Sequence, residues 1–254
     1  MGPDALPNMG LKYTLKLWIG LLCVLALGHV AVSAQRLSQL KTPTPLPPGS
    51  TLVIGFLGGY DGWNDPHRSV RQLVVKLRER PGVYAESISN HHRALALKLI
   101  FEALDTNSNG RLDPDETAQP RVILFGQSWG GAAAIATAGD LRKLGIPVLL
   151  TVQIDSVGVR DDIVPSNVRS AVNFYQHDVF TTIHGRKKIR AADPAATRIL
   201  GNFESSYTFR SVDESNASKA RQVFGGSHTK MELDPVVWNR VEQYIVDAIA
   251  RRLP

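Results

Sequence analysis

The residues with the most chemistry to offer are Ser128, His228 and two aspartates, Asp155 and Asp178. A serine hydroxyl becomes a good nucleophile only when a base takes its proton, and the base needs a carboxylate to fix its tautomer and balance its charge. His228 is the base candidate because it follows both the serine and the aspartates in the chain and immediately precedes the last helical stretch, in Gly225-Gly226-Ser227-His228. That segment reads as a flexible loop. His177 and His184 fall in a polar stretch, and His91 and His92 precede the serine, near a helix start. Asp178 follows the fifth predicted strand. Asp155 closes the fourth, in Gln153-Ile154-Asp155, and is preferred because a rigid strand positions a group better than a loop. Asp161 and Asp162 read as loop charges. An oxyanion formed on the substrate would need N–H donors. The backbone of Trp129 and the loop Gly58-Gly59-Tyr60, through Tyr60 or Gly59, are the candidates.

The elements that must position these residues are legible around the serine. Val122-Ile123-Leu124-Phe125 is an apolar run, Gly126-Gln127-Ser128-Trp129-Gly130 follows, and an Ala-rich helical stretch continues to about Leu144. This is strand, sharp turn and helix, with one serine at the turn. Glycines on both sides let strand and helix close around it. Further strands are expected at Leu52–Leu57, Val83–Ile88, Val148–Ile154 and Val168–Tyr175, with another possible around Tyr207-Thr208-Phe209. Helices are expected over Pro66–Arg80, Arg93–Leu104 and Asp234–Arg251, from apolar residues at helical spacing. Strands alternating with helices imply an α/β fold, a mainly parallel sheet flanked by helices on both faces. In such sheets ligands sit beyond the carboxyl ends of the strands, where Ser128, Asp155 and the Gly58–Tyr60 loop all fall.

Residues 105–116 carry a second pattern, Asp-Thr-Asn-Ser-Asn-Gly-Arg-Leu-Asp-Pro-Asp-Glu. It resembles an EF-hand calcium loop at every ligand position. Asp105, Asn107, Asn109, Asp113 and Glu116 supply side-chain oxygens, Arg111 a backbone carbonyl, and Gly110 the sharp turn. The loop leads into the start of the serine strand. Six residues at about 3.3 Å each put such an ion on the order of 20 Å from Ser128, so its expected role is structural.

The chain has 254 residues, with 43% hydrophobic and a formal charge of +6. That is enough for one domain with a full core. The one basic cluster, Arg186-Lys187-Lys188-Ile189-Arg190, lacks aromatic interleaving and reads as a solvated loop, so no nucleic-acid partner is expected. Lys12 and Lys16 precede an uncharged run from Leu17 to Val32, and Val32-Ser33-Ala34 offers small residues for cleavage. Residues 1–34 therefore read as a signal peptide, and the expected location is periplasmic or secreted, the alternative being an uncleaved membrane anchor. Cys23, the only cysteine, lies in this leader, so the mature chain is expected to have no disulfide. Residues 35–50, with four prolines, read as an extended linker that buries little. The folded domain is expected over residues 51–254.

The strand–GQSWGG–helix unit, the Gly-Gly-Tyr loop, an aspartate after a later strand and His228 before the terminal helix together resemble the α/β-hydrolase superfamily. The likeness is nearest to its compact lipase, esterase and thioesterase-like members. The resemblance implies a cofactor-free serine hydrolase with a small-molecule acyl ester or thioester substrate. Its nucleophile would be Ser128, its base His228 and its acid Asp155 or Asp178. Gln127 occupies a place often held by histidine, and Gly58 replaces the usual histidine of the oxyanion loop. Two other readings stay open: an acyltransferase using the same triad, and a non-catalytic calcium-binding module on a hydrolase scaffold.

Overall fold

The computed structural model describes residues 35–118, 121–178 and 183–250. The leader, Cys23 and the last residues of the expected terminal helix lie outside them. The described strands are β1 Thr51–Leu57, β2 Val83–Ser89, β3 Val122–Gln127, β4 Val148–Ile154, β5 Ile163–Val164, β6 Val168–Gln176, β7 Arg190–Ala191 and β8 Arg198–Ser205. The α-helices are α1 Ser69–Leu77, α2 Arg93–Leu104, α3 Pro114–Thr117, α4 Trp129–Lys143, α5 Lys219–Phe224, α6 Gly226–Leu233 and α7 Pro235–Ile249.

Six strands form one sheet in the order β2-β1-β3-β4-β6-β8, and every pairing in it is parallel. Two apolar clusters cover its faces. One joins Leu52, Ile54 and Leu124 to Leu99 and Ile100 of α2 and to Ala134 and Ala138 of α4. The other joins Val53, Phe125 and Val152 to Leu73 and Leu77 of α1 and to Val241 and Ile245 of α7. Burial on both faces explains why β1, β3 and β4 read as unbroken apolar runs rather than alternating ones. From β1 the chain steps outward to β2, then crosses to β3 on the other side of β1 and continues to β4. The strand order therefore reverses between β1 and β3, and in open parallel sheets ligands sit beyond the carboxyl ends at such a point. The Gly58–Tyr60 loop and Ser128 follow the carboxyl ends of β1 and β3.

Three expectations change. The edge strand is Arg198–Ser205, not the stretch around Tyr207. Its residues are half-exposed, and Asn202, Glu204 and Gly201 interrupt any apolar run. Tyr207 is instead a core residue whose hydroxyl donates to Asp234 Oδ2 at 2.8 Å. The segment around His228 is helical rather than a loop, since α5 and α6 follow one another through Gly225. A Cβ at Gly225 would fall on Thr229 Oγ1, which permits the tight junction only to glycine. Residues 35–50 also pack on the domain more than a linker would. Leu46 is buried, and the amides of Lys41 and Thr42 donate to Glu86 Oε1 at 2.6 and 2.8 Å.

Candidate active site

Ser128 stands between β3 and α4 with φ 56° and ψ −126°. A non-glycine residue at positive φ is strained by roughly 1–3 kcal/mol and persists only when its surroundings over-determine it. Here they do. Ser128 N–H donates to Ile154 O at 2.9 Å, and its carbonyl accepts from Gly131 at 3.0 Å and Val157 at 3.2 Å. Close approach is what the flanking glycines supply. A Cβ at Gly126 would fall on the Gly130 carbonyl, and one at Gly130 on the Phe56 carbonyl oxygen. The turn cannot relax without separating α4 from the sheet.

Asp155 follows β4 directly, is fully buried, and also has positive φ, 43°. Its carboxylate gathers donors from three directions. Oδ1 accepts from the Gly185 amide at 2.7 Å and the Gln176 amide at 3.3 Å. Oδ2 accepts from Gln176 Nε2 at 2.9 Å and lies 2.6 Å from His228 Nδ1. Gly185 lies so close that a Cβ there would strike Asp155 Oδ1. His228 sits in the first turn of α6 and is 7% exposed, so its ring is held rather than free. Its other nitrogen, Nε2, lies 3.2 Å from Gln127 Nε2.

Asp178, the other acid candidate, is engaged elsewhere. Ser206 Oγ donates to it at 2.7 Å, the Tyr207 amide at 2.7 Å and Thr208 Oγ1 at 3.1 Å. Burial pushes this carboxyl up, but hydrogen bonds from Ser227, Ser206, Tyr207 and Thr208 outweigh burial and hold it below its ordinary value. It pins the turn after β8 to the end of β6. His177 and His184 stack on each other with centroids 4.5 Å apart.

The loop after β1 lies against the serine. A Cβ at Gly58 would come within 3.1 Å of Ser128 Cβ. Gly59 has φ 51°, and its carbonyl is held by Asn90 Nδ2 at 2.6 Å and lies 3.1 Å from His91 Nε2. Trp129 is the first residue of α4, where backbone N–H groups lack intrahelical partners. No sequence motif marks Asn90, Gln176 or Gly185, because each acts through a contact that only the fold creates. Tyr60 is 77% exposed and Trp129 42%, and they meet edge to face at 5.6 Å, with His91 stacked on Tyr60 at 5.0 Å.

Beside this loop lies a cluster of charge. Arg68 bonds Asp61 at 2.8 Å and reaches Glu232 of α6 at 3.4 Å, while Arg221 of α5 contacts Glu232 and lies 3.6 Å from Asp61. The cluster ties the Tyr60 loop to the helix that carries His228. Burial raises the Asp61 carboxyl to about 6, with Arg68 opposing and Asp65 adding to the rise.

In residues 105–116 the backbone takes a turned form with Gly110 at φ 76°, and Gly110 N donates to Asp105 Oδ2 at 2.9 Å. Asp113 and Glu116 form a reciprocal cap on α3. Hydrogen bonds from Asp113, Thr106 and Asn107 lower the Glu116 carboxyl. Among the described residues, no three carboxylate, imidazole or thiol groups converge as a metal site.

No protein-family profile and no curated protein sequence matches the chain. Among solved structures it is similar to dienelactone hydrolase from Anabaena variabilis, at 14% identity over 82% of this chain and 90% of that one, TM-score 0.41. It is also similar to Est1E from Butyrivibrio proteoclasticus, at 12% identity over 83% and 93%, TM-score 0.40. A third is a protein from Xanthomonas campestris ascribed to the alpha/beta superfamily of hydrolases, at 14% identity over 78% and 99%, TM-score 0.38. These likenesses are too distant to bear on the chemistry of the site, which stands on its own geometry.

Proposed function

We propose that the protein is an exported serine hydrolase of the α/β-hydrolase type that cleaves carboxylic esters or thioesters through an acyl-enzyme. One observation carries this reading: the buried Asp155–His228 pair at 2.6 Å shares a sheet edge with a serine held in a strained turn. In the proposed reaction Ser128 Oγ attacks the substrate carbonyl carbon while His228 Nε2 takes the hydroxyl proton. Asp155, bonded to Nδ1, stabilises the imidazolium. The oxyanion is met by the N–H of Trp129 and an N–H from Gly59 or Tyr60. The tetrahedral species expels the alcohol or thiol, which receives the proton from His228. Water then attacks the acyl-Ser128 ester with His228 again as base, releasing the acid.

The rings of Tyr60 and Trp129 beside the serine favour an apolar acyl or leaving group, because exposed aromatic surface gains from being covered. A panel of aryl esters and acyl thioesters tests the assignment. Wild type is expected to hydrolyse some of them and Ser128→Ala none, whereas full turnover by Ser128→Ala would reject it.

We further propose that residues 105–116 bind calcium and stiffen the entry to β3. An all-oxygen donor set in Asp105, Asn107, Asn109, Arg111, Asp113 and Glu116 fits a hard cation, and the Gly110 turn and the Asp113–Glu116 cap support that reading. The ion would act on stability alone. Residues 1–34 are proposed to direct export, with Gln35 as the first mature residue. Finding Met1 or Met9 at the N-terminus of the exported protein would count against cleavage.

A further inference from the structure

We infer that Gln127 is a positioning residue that holds His228 in its resting, neutral form until the serine displaces it. The inference rests on the serine-hydrolase reading above. Gln127 ends β3 and is 2% exposed, so its amide has little room to wander. The protonation of the ring follows from its other side. Asp155 Oδ2 lies 2.6 Å from Nδ1, and the same carboxylate already accepts from Gly185 and Gln176. A carboxylate serving that many donors is an acceptor, so Nδ1 carries the hydrogen. Nε2 of the neutral ring is then a bare lone pair, and only a donor can pair with it. The Gln127 amide N–H, 3.2 Å away, is that donor. Among the described residues, Ser128 Oγ makes no hydrogen bond to Nε2.

One lone pair cannot fully serve two donors. Ser128 can hand its proton to Nε2 only as the Gln127 amide gives way. Once the ring is protonated, its Nε2–H faces an N–H, which is repulsive until the amide turns or withdraws. Gln127 stays neutral throughout, and the proton passes only between Ser128 Oγ and His228 Nε2. The carbonyl end of the same amide lies against the oxyanion-loop candidate, where a Cβ at Gly58 would stand 2.5 Å from Gln127 Oε1. A single amide thus touches both the base and the loop beside the serine.

The test compares wild type with Gln127→Met, which keeps the volume and loses the donor, and Gln127→Glu, which replaces the donor by an acceptor. The ionisable groups packed around His228 are Asp155, Glu232 with Arg68, Arg221 and Asp61, and Asp178 beside Ser227. All of them remain in every variant. A lost bond to the neutral ring should move the acid limb of kcat/KM to higher pH by about half to one unit in Gln127→Met. Gln127→Glu should move it further. Above that limb, Gln127→Met should react with a fluorophosphonate severalfold faster than wild type. Nitrogen-15 NMR titration of the His228 ring gives the same displacement without relying on turnover. An acid limb and a ring titration unchanged in both variants would overturn the inference. If wild-type Ser128 takes no fluorophosphonate, the serine reading fails instead, and the ring titration still reports on the Gln127 contact.

Discussion

The carboxylate of Asp155 and the imidazole of His228 meet at 2.6 Å across 73 residues of chain. Asp155 comes off the end of β4 and His228 off the first turn of α6, and both are buried. A contact that couples a sheet strand to a late helix at the open end of a parallel sheet is costly to assemble. Its geometry puts Nδ1 on the carboxylate and Nε2 3.2 Å from the Gln127 amide nitrogen.

That pairing separates the two aspartates. Asp155→Asn should lower kcat by roughly 10³–10⁴-fold, as expected when the ring loses its correct tautomer. Asp178→Asn should change kcat far less and lower the melting temperature instead, because it loosens the turn at residues 206–208. Steady-state kinetics and thermal unfolding of both variants check this.

Gly185→Ala should impair the site without touching a reacting group. The added Cβ would strike Asp155 Oδ1, so either the loop or the carboxylate must shift. Overpacking of this kind costs about 1–3 kcal/mol. Denaturant unfolding should show that loss together with a fall in kcat, whereas Gly145→Ala, whose Cβ meets nothing but whose φ is 72°, should affect stability alone.

Asp61 makes stability depend on pH. Its carboxyl is raised from 3.8 to about 6 in the folded protein, so between those values the folded state binds more protons than the unfolded one. Stability should therefore fall as pH rises through this window, and the loss should be complete above it. Asp61→Asn should flatten the slope between about pH 4 and pH 6, which unfolding curves at several pH values would reveal.

Tyr60→Ala should raise KM for apolar esters several-fold while leaving kcat close to wild type. The ring is exposed and meets Trp129 and His91. An equal fall in kcat would mean that the side chain orders the oxyanion loop as well.

Chelation, and Glu116→Gln, should each lower the melting temperature of calcium-loaded protein without changing kcat at a temperature where all forms are folded. Differential scanning calorimetry with metal analysis measures both effects.

Much of this arrangement is legible in the sequence where local physics dominates. The strands buried on both faces announce themselves as apolar runs, and the serine turn by its glycines. Ser128 and Asp155 stand directly after strands, while His228 stands out only by its place after both in the chain. The edge strand β8 is not legible because a half-exposed edge needs no apolar pattern, whereas the apolar Tyr207, two residues beyond its end, is buried for a different reason. The helix under His228 was obscured by Gly225 and Gly226, which usually signal a loop but here serve a tight junction between α5 and α6. Gln127, Gln176, Asn90 and Gly185 belong to the site through long-range contacts, which no local pattern encodes.

The most direct test of the account is intact-protein mass spectrometry after a fluorophosphonate, followed by peptide mapping. The account predicts a single stoichiometric adduct on Ser128, absent from Ser128→Ala and slowed by several orders of magnitude in His228→Ala. An adduct on another residue, or equal labelling of Ser128 with and without His228, would contradict it.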